Sequence, residues 1–138
     1  MEFSAPVATL LVGLIASFIA LYIARLNSRR SACVKFRESI LFALTGLYPH
    51  PVNWPQNIDA HLRHVFPALS SAVEEFSQHL PRHKRAAFAQ AWFEYRCSTG
   101  REIDQQCYHH YMGFSSMPEP KGVFQANVSR LLSFAGQP

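Results

Sequence analysis

The chain is poor in acidic residues and, near its N-terminus, has a stretch with no charge at all. Only 9 of the 138 residues are Asp or Glu, against 13 Lys or Arg. No charged residue lies between Ala5 and Ala24, a run rich in Ala, Leu, Ile, Val and Phe. A helix needs about 20 apolar residues to cross roughly 30 Å of hydrocarbon, and this run is long enough. The sequence therefore predicts a short N-terminal tail at 1–4 and a transmembrane helix, the anchor, at 5–24.

Basic residues are absent before the anchor and frequent after it. Only Glu2 is charged on the N-terminal side, whereas a cleaved signal peptide carries positive charge before a shorter apolar core. An excess of Lys and Arg marks the cytoplasmic side of a membrane helix. We therefore expect a single-pass protein with its N-terminus outside and residues 25–138 in the cytoplasm. The basic residues that follow the anchor most closely are Arg25, Arg29, Arg30, Lys35 and Arg37.

Cysteine is also scarce in residues 25–138, the body of the chain, which limits the disulfides it can form. An odd, sparse set of three, at Cys33, Cys97 and Cys107, does not form a disulfide framework in a reducing compartment, so we expect thiols. After the anchor there are 13 basic and 8 acidic residues, because Glu2 precedes it, a surplus of 5. The five basic residues next to the anchor account for that surplus. The rest of the body is near neutral, which argues against nucleic acid as a partner.

Apolar residues after the anchor recur at helical spacing, and no alternating β pattern, repeat or low-complexity tract competes. The prediction is an all-α bundle of about four to five helices. The segment 31–47 forms the first helix and either continues the anchor or begins afresh. Pro67 is expected to start a new helix after a short one capped by Asn57 or Asp59. The later predicted helices cover 81–97, 103–111 and 123–134, with a loop at 115–122.

A proline-rich turn at 48–55 separates the first helix from the rest. Gly46 and the three prolines of this segment stop the helical pattern. Trp54 and Tyr48 are expected to pin the turn to the core, since large aromatic side chains in such turns usually pack inward.

Small residues share one stripe of the anchor. The stripe consists of two series with a spacing of four: Thr9, Gly13 and Ser17, and Ala16, Ala20 and Ala24. With each residue turning the helix by about 100°, all six fall within an arc of roughly 100°. Such a stripe lets membrane helices approach closely, so the anchor is predicted to self-associate, with Leu10, Leu14, Phe18 and Leu21 facing lipid. The alternative is that Ala and Gly are simply common in membrane helices.

Chemically reactive residue types are densest between Cys97 and Tyr111. Cys97, Cys107 and His109 or His110 offer zinc ligands, but no two cysteines sit two to four apart, so no metal or other cofactor is expected. Cys107 with a neighbouring histidine could act as a nucleophile, and Arg101 with His109 or His110 weakly suggests a ribonuclease pair. The favoured interpretation is that these side chains bond to backbone around a tyrosine-rich patch.

A second basic run, at 82–85, opens a predicted helix, where positive charge opposes the helix dipole. A solvated turn is the commonest outcome for such a run, and a compensating partner is the alternative. Anionic lipid is favoured over another phosphate ligand because the anchor holds the domain near the bilayer. The predicted lipid or anion contacts are Arg25, Arg29, Arg30, Arg82, Lys84 and Arg85.

Two segments, Gly46-Leu-Tyr-Pro-His-Pro-Val-Asn-Trp-Pro and Gly100-Arg-Glu-Ile-Asp-Gln-Gln-Cys-Tyr-His-His-Tyr, resemble parts of small uncharacterised bacterial proteins that also begin with a hydrophobic segment. The resemblance implies a bacterial inner membrane. It implies no activity and no site residues.

Three functions remain open at this level. The first is a non-enzymatic adaptor or accessory subunit, held in the membrane by a self-associating anchor and binding a protein partner. The alternative is an oligomeric effector, of toxin or defence type, that permeabilises the bilayer when triggered. The third is a membrane-tethered hydrolase or ribonuclease using the residues from 97 to 110. No catalytic motif is present, so an enzyme is the least favoured of the three.

Overall fold

The computed structural model describes residues 5–98, 100–101, 105–113 and 119–136. Within these ranges the chain is all-helical, as predicted, and contains no strand beyond one isolated bridge. The helices are α1 (Ala5–Ala43), α2 (Ile58–Ser77), α3 (Arg82–Arg96) and α4 (Pro120–Ser133). A short 3₁₀ turn covers Tyr108–Tyr111.

The anchor and the first helix of the domain are one continuous helix. α1 has 39 residues, which corresponds to about 58 Å at 1.5 Å per residue. Its first half is exposed, and Phe36 and Ile40 in its second half are buried. No Gly or Pro interrupts residues 25–43, so nothing in the backbone favours a break there. The alternative in which the helix predicted at 31–47 continues the anchor is therefore the correct one.

α1 ends before the proline-rich turn because Gly46 adopts a left-handed conformation. Its φ is 86°, a value that residues with a side chain rarely adopt. Its carbonyl accepts a hydrogen bond from the backbone N–H of Asn53 at 2.9 Å. The ring of Trp54 packs edge-on against Phe124 at 5.5 Å, and the hydroxyl of Tyr48 lies 2.9 Å from Ser129 Oγ. Both aromatic residues thus pin the turn to the domain, as predicted.

The predicted break at Pro67 is wrong: α2 is a single helix of 20 residues with Pro67 inside it. Leu62 and Leu69 are both buried, whereas Pro67 is exposed. Proline removes one backbone hydrogen bond from the helix interior. Here the missing bond lies on the solvent-exposed side, so the apolar residues before and after Pro67 stay on one buried face. The helix begins after Asn57, whose side chain accepts from the N–H of Ala60 at 3.1 Å.

Phenylalanines join the four helices in one core. Phe36 of α1 stacks on Phe76 of α2 at 4.3 Å between ring centroids. Phe88 of α3 meets both of these rings edge-on and also contacts Phe134 at the end of α4, at 5.3 Å. In α3 the buried face consists of Phe88, Ala91 and Tyr95, and Trp92 is partly buried.

Two predicted boundaries change in the last third of the chain. The helix predicted at 103–111 is represented by the 3₁₀ turn alone, and 102–104 lie outside the described residues. α4 begins at Pro120, so the predicted loop is wrong at 120–122, while 115–118 lie outside the described residues. Proline suits the first turn of a helix because that position needs no N–H donor.

Candidate membrane-facing site

The two cysteines of the reactive segment lie opposite each other. The backbone N–H of Cys107 donates to the carbonyl of Arg96 at 2.8 Å, and the N–H of Ser98 donates to the carbonyl of Cys107 at 2.9 Å. These bonds form an isolated parallel bridge between Cys97 and Cys107. Cys97 is buried and Cys107 is half-buried, and both are thiols. Their distance in sequence gave no sign of this pairing.

His110 and Tyr111 close the C-terminal end of α3. The Tyr111 hydroxyl donates to the carbonyl of Tyr95 at 2.7 Å and accepts from Asn127 Nδ2 at 3.0 Å. His110 Nε2 lies 3.1 Å from the carbonyl of Glu94 and 3.2 Å from that of Tyr95. A helix leaves its last four carbonyls without partners inside the helix. These side chains satisfy two of them, so this part of the segment works as a helix cap.

Burial governs the ionisation of these capping residues. It lowers the pKa of His110, although the hydrogen bonds to the Glu94 and Tyr95 carbonyls act in the opposite direction. Since a carbonyl only accepts, Nε2 carries the proton, and Nδ1 is buried with no hydrogen-bond partner among the described residues. Burial likewise raises the pKa values of Tyr95, Tyr108 and Tyr111. The three tyrosines belong to the core.

The candidate residues of this segment have different surroundings in the described part of the chain. No group of three or more His, Cys, Asp or Glu side chains there is placed to hold a metal ion. The sulfur of Cys107 lies 3.4 Å from Ser98 Oγ, whereas His110 is directed at the end of α3. Arg101 and His109 are exposed.

The anchor half of α1 is apolar and exposed along its length. α1 is the one helix in the described part of the chain that is long and apolar enough to cross a membrane, and none of its apolar window is buried. Thr9 Oγ1 donates to the carbonyl of Ala5 at 3.0 Å, and Ser17 Oγ donates to that of Gly13 at 2.9 Å. The hydroxyl groups are therefore satisfied within the helix, as an apolar solvent requires. All six residues of the predicted small-residue stripe are exposed: Thr9, Gly13, Ala16, Ser17, Ala20 and Ala24.

The fold brings the second basic run to the end of the domain next to the anchor. α2 runs back along α1, and a cavity of about 280 Å³ between them is lined by Ser28 and Ser31 of α1 and by His79 just after α2. Lys35 pairs with Glu75 at 2.7 Å beside it. Ser28 is four residues beyond Ala24, or about 6 Å along the helix. The turn from α2 to α3 therefore lies close to the end of the anchor.

One residue of the second basic run has a clear compensating partner. Arg85 donates from Nε to the carbonyl of Leu80 at 3.1 Å and from Nη2 to that of Gln78 at 3.3 Å. These carbonyls follow the C-terminal end of α2, where the helix dipole favours positive charge. Arg85 therefore caps the preceding helix. Arg82 and Lys84 are exposed at the same end of the domain.

A second cavity, of about 450 Å³, lies on another face of α1 just beyond the anchor. Arg37 donates to the carbonyl of Gly136, which brings the end of α4 to this side of α1. The cavity combines guanidinium groups with an apolar wall. Its lining residues are Leu26, Arg29, Arg30, Cys33, Val34, Arg37 and Ala135.

Comparison of the chain with models of protein families, with curated proteins and with solved structures finds no match.

Proposed function

We propose that the protein is a membrane-anchored helical adaptor, whose anchor associates with a second copy and whose domain binds another protein. The observation that carries this proposal is the continuity of α1. One helix supplies both the exposed apolar segment and the buried Phe36 and Ile40 of the domain core. A partner bound to the domain would therefore be coupled to the anchor through one rigid element.

The small-residue stripe supports association of the anchor. Helices in lipid associate by close packing and not by a hydrophobic drive, so small side chains on one face favour the contact. Every residue of the stripe is exposed, and the Thr9 and Ser17 hydroxyls are bonded to their own helix. The stripe therefore offers a smooth surface to a second helix.

The opposite end of the domain offers a surface for a protein partner. Phe42, at the end of α1, is 84% exposed, and Val52, in the proline-rich turn, is 78% exposed. Both residues belong to the part of the chain around the end of α1, where contiguous exposed apolar surface would mark an interaction site. This end is remote from the anchor, so a partner there would be free of the bilayer.

The test compares the oligomeric state of the full chain in detergent and in bilayers with that of two matched variants. Ala20→Leu adds bulk within the stripe, whereas Ala8→Leu makes the same change about 220° round the helix from Gly13. We expect Ala20→Leu, alone or with Gly13→Leu, to shift the chain to the monomer and Ala8→Leu to leave it associated. A monomeric parent chain, or equal effects of Ala20→Leu and Ala8→Leu, would contradict the proposal.

Membrane potential separates the adaptor from an effector. Bacteria expressing the full chain should keep their potential and growth if the protein is an adaptor. Depolarisation that Gly13→Leu with Ala20→Leu abolishes would instead assign the oligomer to bilayer permeabilisation and overturn the adaptor proposal.

A further inference from the structure

The second cavity places paired positive charge where a lipid headgroup would lie, if the anchor spans the bilayer as proposed above. Arg29 and Arg30 follow Ala24 by five and six residues, or about 7.5 and 9 Å along the helix. The polar layer of each leaflet is about 5–7 Å deep. Arginine side chains extend toward an interface while their stems stay on apolar surface. Both guanidinium groups are therefore within reach of lipid phosphates.

The wall of the cavity discriminates between a lipid and a free phosphate. Leu26, Cys33 and Val34 line it together with Ala135 from the end of α4. An inorganic phosphate gains nothing from an apolar wall, whereas the glycerol and first acyl carbons of a phospholipid are removed from water by it. The hydrogen bond from Arg37 to the Gly136 carbonyl holds α4 against α1 beside the cavity.

Charge disfavours a second copy of the chain that packs by the same face. Arg29, Arg30 and Arg37 share this face of α1, and the same face of another copy would bring like charges together. The face also points away from the small-residue stripe. Cys33 is twenty residues beyond Gly13, or about 200° round the helix. A ligand in the cavity would therefore leave the stripe open.

We propose that this cavity binds one anionic phospholipid from the adjacent leaflet, with its phosphate between Arg29 and Arg30 and its glycerol region against Leu26, Cys33 and Val34. The inference rests on the proposed membrane anchoring. Arginine pairs well with phosphate because its planar fork donates two parallel hydrogen bonds. The bound lipid would fix the domain against the bilayer.

The test measures retention of phosphatidylglycerol and of phosphatidylcholine by the purified full chain, with native mass spectrometry and with reconstituted nanodiscs. We expect one phosphatidylglycerol to be retained in preference to phosphatidylcholine. Arg29→Gln with Arg30→Gln should weaken that retention roughly 30-fold, since each basic residue at a membrane surface contributes a few-fold to anionic lipid binding. The matched control, Arg82→Gln with Lys84→Gln, removes the same charge at the same end of the domain but outside the cavity, so its loss measures diffuse attraction to the membrane and should be several-fold smaller.

A third variant tests the cavity without changing charge. Val34 is 54% exposed, so Val34→Trp fills the cavity from its rim without entering the core, and it should also abolish preferential retention. If the control pair loses as much phosphatidylglycerol retention as the Arg29 and Arg30 variant, the lipid is held by diffuse attraction and the site is overturned. If millimolar inorganic phosphate displaces the lipid, the ligand of the cavity is a free anion. A chain that inserts into nanodiscs but retains both lipids equally contradicts the site alone. A chain that fails to insert contradicts the proposed function.

Discussion

At the residue scale, the histidines and tyrosines near residue 110 stabilise a helix end. Tyr111 and His110 bring their polar atoms to the Glu94 and Tyr95 carbonyls. Arg96 and Arg63 bond in turn to the carbonyls of Gln105 and Gln106. The contacts of His110 and Tyr111 satisfy carbonyls at the end of α3 that have no partner within the helix. Two polar side chains of the segment, His110 and Tyr111, thus serve the backbone at the end of α3.

The buried ring of His110 predicts a loss of stability in mild acid. Its pKa is lowered in the folded state, so the unfolded chain binds more protons as pH falls below about 6.5. The stability that depends on neutral His110 is therefore present above that pH and is lost as pH falls through the folded pKa. Urea unfolding of the full chain in micelles at pH 7.5 and 5.5 measures this change. His110→Gln should reduce the pH dependence, and an unchanged dependence would refute this role for His110.

At the element scale, the helices persist through positions that local rules mark as ends. α2 passes Pro67 because the residues on both sides bury one continuous apolar face, and burial of a Leu or Phe side chain is worth about 1.5–3 kcal/mol. Several such residues offset the roughly 3 kcal/mol that proline costs inside a helix. Tertiary packing therefore decides the extent of α2.

Replacing that proline should stabilise the protein. Pro67→Ala restores a helical N–H and removes a steric conflict, and it also returns freedom to the unfolded chain. We expect a net gain of about 1–2 kcal/mol in the free energy of unfolding, measured by urea denaturation in micelles. Pro120→Ala is the control, because proline at the start of α4 costs nothing there. A gain at Pro120 equal to that at Pro67 would contradict the explanation.

At the scale of the whole molecule, the domain restricts how two anchors can pack. Ser31 is eighteen residues beyond Gly13, which is five full turns at about 100° per residue, so it points in the same direction. Ser31 faces the cavity between α1 and α2 that His79 also lines. Beyond the C-terminal end of the anchor, α2 therefore occupies the side of α1 that continues the small-residue stripe. Two copies that pack along the stripe must diverge toward their domains.

This arrangement predicts that paired anchors cross near Gly13. With a crossing angle of about 40°, two helices in contact at Gly13 are displaced sideways from each other by roughly 11 Å at Ala24, which is eleven residues or about 16 Å farther along. In a chain with its native cysteines changed to alanine, Ala16→Cys should form disulfide-linked dimers at least several-fold faster than Ala24→Cys, because the bridge requires Cα atoms within about 7 Å. Ala8→Cys, on the other side of the helix, serves as the non-linking control. Faster linkage at Ala24 would place the crossing next to the domain.

The sequence by itself determined the features that depend on composition and on near neighbours. The uncharged apolar run from Ala5 to Ala24 predicts a helix of membrane-spanning length. The period of the apolar residues located the buried stripes, because residues three and four apart share a helix face whatever surrounds them. Proline and glycine correctly marked the turn at 48–55.

Only the tertiary structure decided which segments meet. The pairing of Cys97 with Cys107, the use of His110 and Tyr111 as a helix cap, and the continuation of α2 through Pro67 all depend on contacts made when separate segments pack. The same holds for the two basic runs, which are far apart in sequence and lie at one end of the domain because α2 returns along α1. Periodicity orients a residue about its own helix axis, whereas the relative placement of helices is fixed by the core they share.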